Sequence, residues 1–189
     1  MEAFWLSAAV IFVAELGDKS QLMALAFATR YKAATVLIGI TVATAIVHLG
    51  SVALGGIVST ALPVGPISII AGLAFFAFAL WTIRGDELSD DEEAKASRSY
   101  RSPMVAVGVA FFLAELGDKT MLATVTLATT EEWFGTWVGS TIGMVAADAL
   151  AIVVGRQLGA RLPERAIRIG AAISFFIFGV LLVIEGFRA

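Results

Sequence analysis

Glu15-Leu16-Gly17-Asp18-Lys19-Ser20 and Glu115-Leu116-Gly117-Asp118-Lys119-Thr120 stand 100 residues apart in a chain of 189 residues. Each sets three ionisable side chains inside an apolar run long enough to cross a bilayer. A charge at the bilayer centre costs about 3 kcal/mol on insertion scales, so six such groups demand a reason. The surrounding composition identifies the solvent. The chain is 59% hydrophobic and 15% charged, with mean hydropathy +0.89, whereas soluble domains carry about a quarter charged residues. An integral membrane protein is expected. In lipid, backbone polar groups must be satisfied within a helix or a closed barrel. The apolar runs are continuous rather than alternating, which predicts an all-α membrane protein.

Six runs reach the roughly 20 residues that a transmembrane helix needs: 4–29, 33–58, 64–83, 105–129, 134–154 and 167–187. The first has no Lys or Arg before it, unlike a cleaved secretory leader, and is expected to be retained. Arg30-Tyr31-Lys32, Pro63 to Pro66, residues 85–102, Glu131-Glu132 and the segment around Pro163 separate the runs. Ten Lys and Arg residues (Arg30, Lys32, Arg84, Lys95, Arg98, Arg101, Arg156, Arg161, Arg165 and Arg168) fall in the first, third and fifth loops. The other side has Arg188 alone. The excess of positive charge places those loops in the cytoplasm and both termini outside it.

The chain divides into 1–84, a charged cytoplasmic linker at 85–102, and 103–189. The flanking parts are a repeat at a constant offset of 100: Phe12 matches Phe112, Leu22 Leu122, Thr29 Thr129, Gly39 Gly139, Pro63 Pro163 and Phe75 Phe175. Three spans per half is an odd number, so the second half is expected to cross in the opposite sense. Two inverted three-helix repeats in one membrane domain are a transporter architecture with its site near mid-membrane. The alternative is a duplication kept only for folding. The linker holds six acidic residues between 86 and 93. It reads as a solvated connection, or as a loop that collects cations.

Glu15 and Asp18, like Glu115 and Asp118, have the spacing that puts two carboxylates on nearly one helical face. Gly17 and Gly117 between them allow a close backbone approach or a local opening of the helix. If the two motifs face each other, four carboxylates converge, with Ser20, Thr120 and Gln21 nearby. Oxygen donors suit manganese, calcium or magnesium. The chain has one His and no Cys, which excludes a thiolate metal site and a disulfide framework. Lys19 and Lys119 each lie four residues after a Glu, a favourable ion-pair spacing. With both charged, the six groups sum to −2, matching a divalent cation. A crowded carboxylate cluster binds protons without its metal and releases them on metal entry, which is a basis for exchange. The plainer alternative makes these groups a bolt between helices. His48 and Asp148 are repeat-equivalent candidates for proton relay or interhelical hydrogen bonding. Gly135, Gly139 and Gly143 form a ridge for close helix packing. Met121, opposite Gln21 in the repeat, reads as packing.

Two copies of E-x-G-D-K-[ST], each in the first span of a three-span half, resemble a family of membrane cation/proton exchangers. That family was formerly called uncharacterised protein family 0016, within the lysine-exporter superfamily. The resemblance covers the whole chain. It implies manganese, and next calcium, as the transported ion, exchanged for protons, with no tightly bound cofactor. It carries the motif roles to Glu15, Gly17, Asp18, Lys19 and Ser20, and to Glu115, Gly117, Asp118, Lys119 and Thr120. The compact length resembles prokaryotic members and implies an inner-membrane manganese exporter. The partners expected are a divalent ion, protons and the bilayer, and no basic patch suggests nucleic acid. Other readings are a calcium or sodium transporter, an uncoupled channel or a membrane scaffold. An intramembrane aspartyl protease using Asp18 and Asp118 is also open, though it needs neither the symmetric glutamates nor the lysines.

Overall fold

The computed structural model describes residues 1–61, 63–84, 90, 92, 94, 101–158 and 164–188. Most of the 85–102 linker therefore lies outside the described residues, as does part of the fifth loop. Eight helices are described: α1 Glu2–Glu15, α2 Lys19–Arg30, α3 Ala33–Ala61, α4 Val64–Arg84, α5 Pro103–Glu115, α6 Lys119–Thr130, α7 Trp133–Leu158 and α8 Glu164–Arg188. The all-helical expectation holds for these residues. Four helices are long and apolar enough to cross a bilayer: α3, α4, α7 over Trp133–Gly155 and α8 over Arg168–Arg188.

The remaining four helices are two short pairs, and here the structure differs from the sequence expectation. The runs 4–29 and 105–129 are each divided at the motif. α1 stops at Glu15 and α2 begins at Lys19; α5 stops at Glu115 and α6 begins at Lys119. The cause is local. Gly17 has φ +76 and Gly117 φ +79, the left-handed region, which glycine enters without the steric cost an L side chain meets there. Leu16 and Asp18 on either side are extended. Asp18 and Asp118 close each break by donating their N–H to the Glu15 and Glu115 carbonyls, at 3.1 and 3.2 Å.

Packing repeats across the two halves. α1 lies along α7, and α5 lies along α3. A Cβ at Gly139 would sit 2.3 Å from the Phe4 carbonyl oxygen, and one at Gly143 2.4 Å from that of Ala8. A Cβ at Gly39 would sit 2.8 Å from the Met104 carbonyl oxygen. Gly39 and Gly139 are 100 residues apart, as are Phe4 and Met104, so one backbone contact occurs twice. The ridge at 135–143 is thus a seat for α1, which approaches closely because no side chain intervenes.

Among the described residues, pairs 100 apart touch each other. The rings of Phe75 and Phe175 are 5.7 Å apart, those of Phe76 and Phe176 5.1 Å. The Thr44 hydroxyl donates to Met144 Sδ at 3.3 Å. α4 and α8 pack against one another around the phenylalanines. The outward faces are apolar, with Ile38, Val42, Leu80, Ile173 and Phe176 exposed, while Ser7, Thr44, His48, Thr124, Ser140 and Asp148 are buried. Polar groups inside and apolar groups outside suit a lipid solvent.

Gly139→Ala should lower the thermal midpoint in detergent, because its methyl meets the Phe4 carbonyl and α1 must move; such overpacking costs about 1–3 kcal/mol. Gly50→Ala, where a Cβ meets nothing within 4 Å, should leave the midpoint unchanged or raise it.

Candidate functional site

The two breaks meet. Asp18 and Asp118 stand at the N-caps of α2 and α6, where four backbone N–H groups lack intrahelical partners and negative charge is favoured. Lys119 Nζ, at the start of α6, donates to Asp18 Oδ1 across the repeat. Lys19 Nζ, at the start of α2, lies 4.0 Å from Asp118 Oδ1. The lysines are therefore crossed, each reaching the aspartate of the other motif. Among the described residues no ion pair joins Lys19 to Glu15, the partner its spacing suggests. The helix break explains this: the two residues are not on one continuous helix, so the i,i+4 rule does not apply to them. For the same reason Glu15 and Asp18 do not share a helical face.

Glu15, Asp18, Glu115, Asp118 and Lys119 are all buried. The Lys19 side chain is 20% exposed and also lies 3.5 Å from Glu92 Oε1 of the linker. Glu15, Asp18 and Glu115 are close enough to act on one another electrostatically, and Asp148, from α7, joins them. Its repeat partner His48, on α3, is buried with neither ring nitrogen hydrogen-bonded among the described residues. Thus Asp148 belongs to the carboxylate group, while no described hydrogen bond or ion pair links His48 to it.

Hydroxyls and neutral side chains complete the two breaks unequally. Thr120 Oγ1 donates to Glu115 Oε2 at 2.9 Å, and the Thr120 N–H is 3.4 Å from Asp118 Oδ2. Ser20 Oγ, at the matching place, is buried without a hydrogen-bond partner among the described residues, as are both carboxylate oxygens of Glu15 and of Asp148. Gly17 N–H donates to Gln21 Oε1 at 2.8 Å. Gly117 N–H is directed at Met121 Sδ at 3.1 Å. Met121 is therefore more than packing: its thioether takes the place of an amide acceptor at the second break. No three Asp, Glu or His side chains among the described residues are gathered tightly enough to hold an ion. In this arrangement a lysine ammonium holds Asp18.

Glu92 was not distinguishable among six linker acids by sequence. The Thr44–Met144 contact likewise had no local signal beyond the repeat itself.

Comparison with known proteins bears on what this charged, twice-broken bundle does. A family model described as "Divalent cation/proton antiporter GDT1" matches residues 3–90 and 103–189. The chain belongs to this family of divalent cation/proton antiporters. A Vibrio cholerae protein named "Putative manganese exporter" is 33% identical over 171 residues, covering 89% of this chain and 84% of that protein. A GDT1-like protein of Synechocystis is 29% identical over 199 residues, covering 96% of each. The rice chloroplastic GDT1-like protein 2 is 33% identical over 200 residues, and the match spans 58% of its length. No solved structure matches the chain. The family is one of transporters and not of enzymes, which sets aside the aspartyl protease. The relatives include bacterial and chloroplastic proteins, so membership specifies an integral membrane protein and not which membrane.

Breaking one side of a buried ion pair costs about 3–5 kcal/mol, while removing both sides is far milder. Lys119→Met and Asp18→Asn should each lower the thermal midpoint in detergent strongly. The double variant should lose clearly less than the sum of the two.

Proposed function

We propose that the chain exchanges a divalent cation, manganese foremost, for protons through one site built from both motifs. Glu15, Asp18, Glu115 and Asp118 supply the oxygen donors, with Asp148 beside them. The observation that carries this is the crossed pairing of Lys119 with Asp18 and Lys19 with Asp118. Two motifs that compensate each other's charge form one electrostatic unit.

In this reading α1 with α2, and α5 with α6, each make one crossing. With α3, α4, α7 and α8 that gives six crossings in two inverted halves, both termini outside the cytoplasm. The loop charges support the orientation. Contacts between residues 100 apart support a two-fold relation, since equivalent residues meet beside the axis that relates them. Helix breaks at membrane depth expose backbone groups and helix ends to a bound ion.

The chemistry follows from charge. The four motif carboxylates and two ammonium groups leave −2, which a divalent cation neutralises while Asp148 keeps a proton. Without the cation, the lysines compensate the aspartates. When it binds, the lysines must withdraw; for Lys19, Glu92 already stands within reach. Glu15 and Asp148, buried without donors among the described residues, need a proton or a cation to be stable in low dielectric. Cation entry therefore expels protons, and protonation expels the cation. Ser20 and Thr120 add neutral oxygen. Calcium is the second reading, because an all-oxygen donor set suits it too; the name of the Vibrio relative supports manganese.

In reconstituted vesicles with a pH gradient, Mn2+ should drive proton movement, and Ca2+ should be the main competitor. Glu15→Gln and Asp118→Asn should each reduce that movement at least about tenfold, the loss expected when an interaction of about 1.4 kcal/mol or more is removed. Full activity in both variants would refute the site. No metal-dependent proton movement in the native protein would refute the exchanger.

A further inference from the structure

The two breaks contain the same charged residues but are fastened differently. Gly17 N–H donates to Gln21 Oε1 at 2.8 Å, and Gln21 Nε2 donates to the Ala147 carbonyl at 3.0 Å. The two bonds fix the amide's orientation, since only its oxygen accepts and only its nitrogen donates. Ala147 immediately precedes Asp148. One side chain thus ties the first break to α7 next to a carboxylate of the site. At the second break the matching residue is Met121, whose sulfur accepts weakly from Gly117 at 3.1 Å and has nothing to donate. The carbonyl that matches Ala147 belongs to Val47, and it accepts from Ser51 Oγ on its own helix at 2.9 Å. The counterpart of Ser51 is Ala151. The tie exists in one half because Gln21 is there, and its place in the other half is taken by a residue that cannot make it.

The halves also sit unequally. The Lys19 side chain is 20% exposed and that of Lys119 3%. α6 packs more extensively on α3 than α2 does on α7. In an exchanger made of inverted halves, the opposite-facing arrangement swaps the two roles. We infer that Gln21 is a positioning residue that holds the first break to α7 in the arrangement seen here, and that Met121 deprives the opposite arrangement of a matching tie. The two facing states are thereby made unequal by neutral side chains, without altering the carboxylates. The inference rests on the exchanger reading above.

The ratio of half-saturating Mn2+ concentrations, measured from each side of reconstituted vesicles of both orientations, tests it. A shift in the balance of facing states moves this ratio. A general loss of folded protein lowers flux from both sides and leaves the ratio alone. Gln21→Met removes the tie here and Met121→Gln supplies one to the opposite arrangement. Both should therefore move the ratio in the same direction. Each shift should be roughly fivefold, the worth of a net hydrogen bond of about 1 kcal/mol, and the double variant roughly 25-fold if the two sites are independent. Gln21→Glu keeps an acceptor for Gly17 but, when ionised, has no donor for Ala147, and should behave as Gln21→Met. If Gln21→Met fails to insert, Gln21→Glu and Met121→Gln decide the matter. A ratio unmoved in those two, or moved in opposite directions, overturns the tie alone. Native protein that shows no metal-driven proton movement overturns the exchanger reading and the inference with it.

Discussion

The pairing of Lys119 with Asp18 is the contact on which the arrangement depends. An ammonium and a carboxylate buried in a lipid-embedded bundle must compensate each other or some other ion, and here the partner comes from the other half of the chain. That requirement brings the breaks of the two repeats to one place. The breaks in turn need Gly17 and Gly117 in a left-handed conformation. They also need α1 and α5 held close enough along α7 and α3, which is done by glycines 139, 143 and 39 against carbonyl oxygens. A buried ion pair is a poor device for stability, because desolvating its members consumes most of the Coulombic gain. Its value here is positional. It joins two motifs that are 100 residues apart into a single charged unit, and in the proposed exchange it holds that unit together while no cation is bound.

Much of this was legible in the sequence because lipid is a restrictive solvent. Continuous apolar runs specified helices, and six charges inside two of those runs pointed to a candidate site. The constant offset of 100 marked the two motifs as equivalent, and their charges meet. The ridge Gly135, Gly139, Gly143 pointed to close helix packing, and α1 lies there. What the sequence left open is tertiary in origin. The spacing of Glu15 and Lys19 fits an ion pair only while the helix runs through them. Gly17 permits either a close approach or an opening, and its sequence context does not choose. Once the helix opens, the local rule for Lys19 lapses and its partner is found in the other repeat. Nothing in the spacing within one motif encodes a contact between motifs. Glu92 is a similar case: one acid among six in the linker, distinguished only by where the fold brings it.

The two motifs also differ in what surrounds identical charges. Glu, Gly, Asp and Lys are the same in both. Ser20 and Gln21 stand opposite Thr120 and Met121, and it is these neutral residues that make different contacts. Thr120 donates to Glu115, while the Ser20 hydroxyl has no hydrogen-bond partner among the described residues. Gln21 reaches α7, while Met121 stays at its own break. A hydrogen bond of this kind is worth about a kcal/mol net, whereas leaving one member of a buried ion pair without its partner costs about 3–5 kcal/mol. Changes at the neutral positions can thus alter the balance between arrangements without disturbing the charge that a cation meets. In the proposed exchanger, keeping the charged residues of the two motifs alike while letting their neutral neighbours diverge would separate two properties: the affinity of the site for its ion, and the preference of the protein for one side of the membrane.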